Sequence, residues 1–212
     1  MDRLYFPSCN FTKASPEAAR RIRSYLEPSM RVAGCCRTDP LATPDGAAAV
    51  YFCQACRETL EQRAPGRFTL ENLFVLLDRD PAFPWPDYAG LTVTVQDCWR
   101  DRDHPEIFRA VRSCLEKMHV RILEMPQNRE RSPFCGNLHY EPRSPQLQGL
   151  LAEGAPPFRL PEEQQARLMQ EHVATFPCSL AVTCCNRCKA GILLGGGQAL
   201  HLLELATGVY AG

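Results

Sequence analysis

Two sets of cysteines recur in the same order along this chain, and few folds can use such a pattern. The first set is Cys9, the adjacent pair Cys35 and Cys36, then Cys53-Gln-Ala-Cys56. The second is Cys98, Cys135, then Cys185-Asn-Arg-Cys188. Most of these cysteines follow a short apolar run that reads as a strand, so in each half thiolates from distant parts of the chain are expected to converge on one spot. A soft metal ion or an iron–sulfur cluster needs such convergence, because several thiolates hold it at once.

Other uses of 12 cysteines fit the sequence less well. Disulfide scaffolds are usually short and secreted, whereas these 212 residues begin with a charged Asp2-Arg3 and show no early apolar stretch of the signal-peptide kind. No apolar run approaches the ~20 residues that cross a bilayer. The 24 basic and 24 acidic residues balance, and no basic block interleaves with aromatics, which argues against a nucleic-acid partner. The expectation is a cytoplasmic protein without a direct membrane span, compatible with a place in a membrane-associated complex, whose cysteines act as ligands.

The repeat divides the chain into a cysteine-rich half over 1–79, a linker over 80–90 and a second half over 91–212, with an insertion at about 137–175. In the first half Arg3–Pro7, Met30–Ala33 and Ala47–Phe52 read as strands and Pro16 to about Leu26 as a helix. Leu70, Leu73, Phe74 and Leu77 have the spacing of one helix face. The linker carries three prolines in Asp80-Pro-Ala-Phe-Pro-Trp-Pro-Asp87, which neither a helix nor an inner strand tolerates. The second half repeats the order with Leu91–Val95, a helix from about Pro105 to Met118, and Val120–Leu123. Ala49–Cys56 aligns with Ala181–Cys188, and Asn72–Leu77 with His201–Ala206. The insertion is proline-rich, carries a helix from about Glu162 to His172, and is expected to cover a face of the site without building the core. Alternating strands and helices predict an α/β fold: two pseudo-repeated small units with mostly parallel sheets and cysteines at the strand carboxyl ends, where such sheets bind ligands.

The ordered pattern Cys, Cys-Cys, Cys-x-x-Cys in two tandem copies, with the late His201-Leu-Leu-Glu-Leu205 stretch, resembles the cysteine-rich CCG-domain family. That family is known from the cysteine-rich subunit of heterodisulfide reductase and from iron–sulfur subunits of glycolate and lactate oxidation systems. The resemblance covers nearly the whole chain. It implies that Cys9, Cys35, Cys36, Cys53 and Cys56 hold a noncubane 4Fe-4S cluster and form the catalytic site of a disulfide-reducing oxidoreductase subunit. The implied partners are other redox subunits, flavin or ferredoxin-type iron–sulfur proteins, and a thiol or disulfide substrate. The alternative is an electron-transfer or structural subunit of a larger oxidoreductase.

The second copy departs from the family pattern, since Phe134-Cys135-Gly136 stands where paired cysteines are expected. Cys98, Cys135, Cys185 and Cys188 remain, enough for a cubane 4Fe-4S cluster or a structural zinc. Cys184 is expected to point away from Cys185 on a regular strand, and Phe134→Cys is expected to restore a noncubane-like site. The first copy is short between Cys36 and Cys53, which suggests a thin cover and wide access. Cys114 reads as a small buried hydrophobe in its helix, and Cys178 as core. His201 can serve a cluster sulfur, a substrate proton or a helix cap; His104 reads as a helix-start residue, and His139 is placed near Cys135. Arg37 and Arg57 can attract an anion, offset cluster charge or lie in solvent. Gly195-Gly-Gly197 lacks the context of a phosphate loop and is expected to turn near the second site. With no Gly-x-Gly-x-x-Gly after a strand, electrons must arrive from another chain.

Overall fold

A computed structural model describes residues 2–39, 45–151 and 155–210. It contains two four-stranded sheets, every pairing parallel. The fold is α/β and consists of two pseudo-repeated units. By compactness, one unit comprises Met1–Pro86 with Leu203–Gly212, and the other Asp87–Leu202.

In the first unit the strands are β1 (Arg3–Tyr5), β2 (Arg31–Val32), β3 (Ala48–Tyr51) and β4 (Thr69–Asn72), in the spatial order β2-β1-β3-β4. Helices α1 (Cys9–Ala14), α2 (Pro16–Leu26), α3 (Gln54–Arg63) and α4 (Leu73–Arg79) connect or follow them. Pro16 opens α2, where its missing N–H leaves no bond unmade. Ala18, Ala19, Ile22 and Leu26 form its buried stripe. Phe52 holds the centre of an aromatic group, edge-on to Phe11 at 5.2 Å and to Phe74 at 6.2 Å. From the proline-rich segment, Phe83 is buried and meets Tyr25 edge-on at 4.8 Å. The C-terminal stretch is tied to α2, with Ser15 Oγ donating to Glu204 and Arg21 to the carbonyls of Thr207 and Gly208.

The second unit repeats the plan with β5 (Thr92–Gln96), β6 (Arg121–Leu123), β7 (Leu180–Thr183) and β8 (Gln198–His201), in the order β6-β5-β7-β8. Its helices are α5 (Pro105–Lys117), α6 (Pro145–Gln148), α7 (Glu162–Val173) and α8 (Asn186–Leu194); α9 (Leu202–Ala206) follows β8. The repeat holds at residue level: Asn72 ends β4 before α4, and His201 ends β8 before α9.

Three expectations are corrected. Leu70 is not on a helix: it lies in β4 opposite Ala49 of β3, and α4 begins only at Leu73, capped by Asn72 Oδ1 accepting from Phe74 N. The insertion does build core, because Tyr140, Leu147, Leu168 and Met169 pack in one buried group with Cys98, Cys135, Cys185 and Cys188. Gly195–Gly197 follows the far end of α8, about 10 Å along the helix beyond Cys188. A side chain at Gly195 would strike the backbone of Met169, and one at Gly197 would press on Val173, so these glycines let α8 lie close against α7.

Candidate metal centre

The cysteines occupy the ends of the strands where the order doubles back. In the first unit β1 lies between β2 and β3, and the turns leaving these three strands carry Cys9, Cys35 with Cys36, and Cys53. Ser8, at φ 56°, turns the chain sharply before Cys9 and caps α1 by accepting from Phe11 N at 3.4 Å. Cys53 is the residue before α3, and Cys56 lies in that helix's first turn. All five cysteines line one cavity of about 170 Å³, together with Asn10, Arg37 and Thr59. Cys9 is exposed, Cys35 and Cys53 are half-buried, and Cys36 and Cys56 are buried.

Contact between these thiols separates their acidities. Cys36 accepts a hydrogen bond from Cys56, which draws its pKa down to about 7, while Cys56 is held protonated far above the usual thiol range. Partial desolvation, then a contact with Cys35, raises Cys9. The Arg37 backbone N–H points at Cys35 Sγ from 3.5 Å, and the Arg37 charge favours the Cys36 thiolate. Arg57 is not in solvent: it is buried, 4.0 Å from Glu61.

The second unit holds a tighter and more enclosed group. Sγ atoms of Cys98, Cys135, Cys185 and Cys188 all lie within 4.8 Å of one another, and all four residues are buried. Cys98 Sγ lies 3.4 Å from Cys135 Sγ. This donor set can hold a metal ion or an iron–sulfur centre. Cys185 accepts from Cys135, Cys188 and Cys98, which pulls its pKa well below the usual value. Burial pushes Cys98 and Cys188 well up, and Cys135 is raised chiefly by its contact with Cys185.

Local sequence explains the placement. Cys185 precedes α8 as Cys53 precedes α3, and Thr183 Oγ1 accepts from Cys185 N at 3.2 Å. Cys135 reaches the group because Gly136, at φ 54°, follows it: an added Cβ there would meet the Arg187 carbonyl oxygen at 2.1 Å. Trp99 packs against the group, stacked 3.9 Å from His139, with the Arg102 guanidinium 4.0 Å from the indole.

The remaining sequence candidates are dispersed. Cys184 is buried and lies outside the four-thiol group, its sulfur 3.8 Å from Asp101. Cys114 is buried in α5. Cys178 is half-exposed, near the Leu180 carbonyl, and is no core residue. His104 starts α5 as expected. The His139 carbonyl accepts from Cys135 N at 2.7 Å, while its ring pairs with Glu141 and titrates low because it is partly buried. Phe134 is wholly buried, its ring against His172 and Tyr140 in the same packed group as the four thiols, so Phe134→Cys would open the core.

Sequence reasoning missed a buried polar group beside the centre. Arg112 bridges Asp97 and Glu124, and Gln96, Ser132 and His172 continue the chain of hydrogen bonds. The available signal was position: Arg112 lies four residues after Phe108 and three before Leu115, on the buried face of α5, and His172 lies on the buried face of α7. Among the described residues no helix is long and apolar enough to cross a membrane. Compared with models of known protein families, with curated proteins and with solved structures, the chain matches none.

Proposed function

We propose that this chain is an iron–sulfur redox protein of the CCG-domain type, with its redox cluster in the first unit and a structural zinc in the second. The observation that carries this reading is the inequality of the two cysteine groups: five thiols around a partly open cavity, and four thiols closed upon one another. Around one zinc ion with bonds of ~2.3 Å, tetrahedral thiolates stand about 3.8 Å apart. The four sulfurs of the second unit all lie within 4.8 Å of one another. A cubane places each thiolate on its own iron at a separate corner, which spreads the ligands wider than a single ion does. Burial suits a closed structural ion, because it excludes water and competing ligands.

The first cavity fits a cluster by the chemistry of its donors. It offers one more thiol than a cubane uses, from three separate stretches of chain, with backbone N–H support at Cys35 and an exposed Cys9 at its edge. Such a cluster, when bound, supplies single electrons and an iron site for sulfur. The chain's own part is to hold it with Cys9, Cys35, Cys36, Cys53 and Cys56 and to present it to solvent beside Arg37. The overall reaction is disulfide reduction: the S–S bond breaks, and the two sulfurs together take up two electrons and two protons. Electrons come singly from a flavin or ferredoxin-type partner.

The test is the paramagnetic spectrum of anaerobically purified, mildly oxidised protein with and without a small thiol. A signal that changes when thiol is added supports a substrate sulfur at the cluster. Iron with a signal indifferent to thiol supports an electron-transfer subunit of a larger oxidoreductase instead.

A further inference from the structure

All five N–H bonds of the Arg112 guanidinium are used, and the partners tie together the segments that carry two of the four closed thiols. Its NH1 donates to Asp97 Oδ1 at 3.0 Å and to the Phe108 carbonyl at 3.1 Å. Its NH2 donates to Asp97 Oδ2 and Glu124 Oε2, both at 2.8 Å, and its Nε to Glu124 Oε1 at 2.6 Å. Asp97 directly precedes Cys98. Its carboxylate also accepts from Arg129 N at 2.7 Å, and its carbonyl from Ser132 Oγ at 2.7 Å and Gln96 Nε2 at 2.6 Å. One residue beyond Cys98, Trp99 N donates to the carbonyl of Phe134, the residue before Cys135, at 3.0 Å. Asn128 and Arg129 both return to Glu124.

Buried ion pairs are poor devices for stability alone, since desolvation offsets most of their attraction. Their strength is geometric: a guanidinium that grips two carboxylates through paired bonds fixes both in direction as well as distance. Here one carboxylate belongs to the residue before a thiol ligand, and its other acceptor bonds reach the 129–132 stretch that leads to the next.

We propose that Arg112 is a positioning residue for the four-thiol centre: by clamping Asp97 and Glu124 it holds Cys98 and Cys135 at binding distance before a metal arrives. This rests on the reading that the second unit binds a metal ion. The clamp shortens the search that metal binding otherwise requires of two thiols that lie far apart in sequence. It also slows release, because a thiol that lets go is held where it can bind again.

The test uses full-length holoprotein treated with excess EDTA, with retained zinc counted by elemental analysis after desalting at successive times. Arg112→Met is expected to lose zinc about 10–100-fold faster, the scale on which residues supporting metal ligands act. Arg112→Lys is expected to lose it nearly as fast, because an ammonium cannot bridge two carboxylates in paired fashion. Val111→Ala, at the neighbouring buried position of α5, loses packing without touching the clamp and is expected to keep the wild-type rate. Should Arg112→Met fail to fold, Glu124→Gln removes one arm of the clamp and is expected to speed release several-fold. One common rate for wild type, Glu124→Gln and any folded Arg112 variant, or an Arg112→Met rate no faster than that of Val111→Ala, overturns the clamp alone. Wild-type holoprotein that carries no zinc overturns the metal reading and the clamp with it.

Discussion

The phenyl ring of Phe134 lies flat on the imidazole of His172, centroids 3.9 Å apart and planes 13° from parallel. Phe134 stands where the CCG pattern expects a second adjacent cysteine, and the structure uses the position for core. Tyr140 meets it edge-on at 5.9 Å, and the ring tip stands against Gly191. The site is therefore committed to packing. Phe134→Cys is expected to cost about 3 kcal/mol of stability in denaturant unfolding, the range for losing a buried ring. Its iron content is expected to match wild type; added iron would show that the thiol had found the centre.

His172 also makes stability depend on pH. Burial lowers its pKa from the usual 6.5 to about 3, and its Nε2 lies 2.5 Å from Gln96 Oε1. The folded state keeps this imidazole neutral, while the unfolded chain protonates it near pH 6.5. The contribution is therefore fully present above pH 6.5 and is lost as pH falls from there toward 3, amounting to several kcal/mol. Urea titrations across that window are expected to show a steeper loss for wild type than for His172→Gln, whatever the absolute stabilities. Parallel slopes would remove His172 from the account.

Zinc binding to the second unit is expected to release protons, since Cys98, Cys135 and Cys188 are held above the usual thiol range and must ionise to bind. Affinity then rises with pH. Titrating zinc into zinc-free protein in two buffers of different ionisation enthalpy measures the number directly. No net release would mean that the four thiols are already ionised before zinc arrives.

The two centres are expected to fail separately. Cys36→Ser removes a ligand of the first cavity and is expected to abolish bound iron while zinc stays at one atom per chain. Cys188→Ser is expected to do the reverse, and Cys184→Ser to change neither, because its sulfur faces Asp101. Elemental analysis of the three variants decides it; loss of both metals from Cys36→Ser would mean one shared centre.

The sequence made the fold and the thiol groups largely legible because both repeat. Cys-x-x-Cys at a helix start, paired cysteines after a strand and the Asn72–His201 register are local patterns, and all are found in place. Errors arose where tertiary pairing overrode periodicity. Leu70, Leu73, Phe74 and Leu77 have helical spacing, yet β3 recruits Leu70 into a ladder and Asn72 delays the helix. The Asp97–Arg112–Glu124 clamp was hidden because its members are up to 27 residues apart and each resembles a solvated charge by itself. Only the burial of Arg112 on an apolar helix face betrays it.

The most direct measurement of the central claim is iron, acid-labile sulfide and zinc per chain in protein purified without oxygen. The account predicts about four iron, about four sulfide and one zinc, one cluster and one tetrahedral ion. About eight iron with no zinc would place a second cluster in the four-thiol centre and contradict the account. Zinc without iron or sulfide would leave the first cavity without its redox cluster.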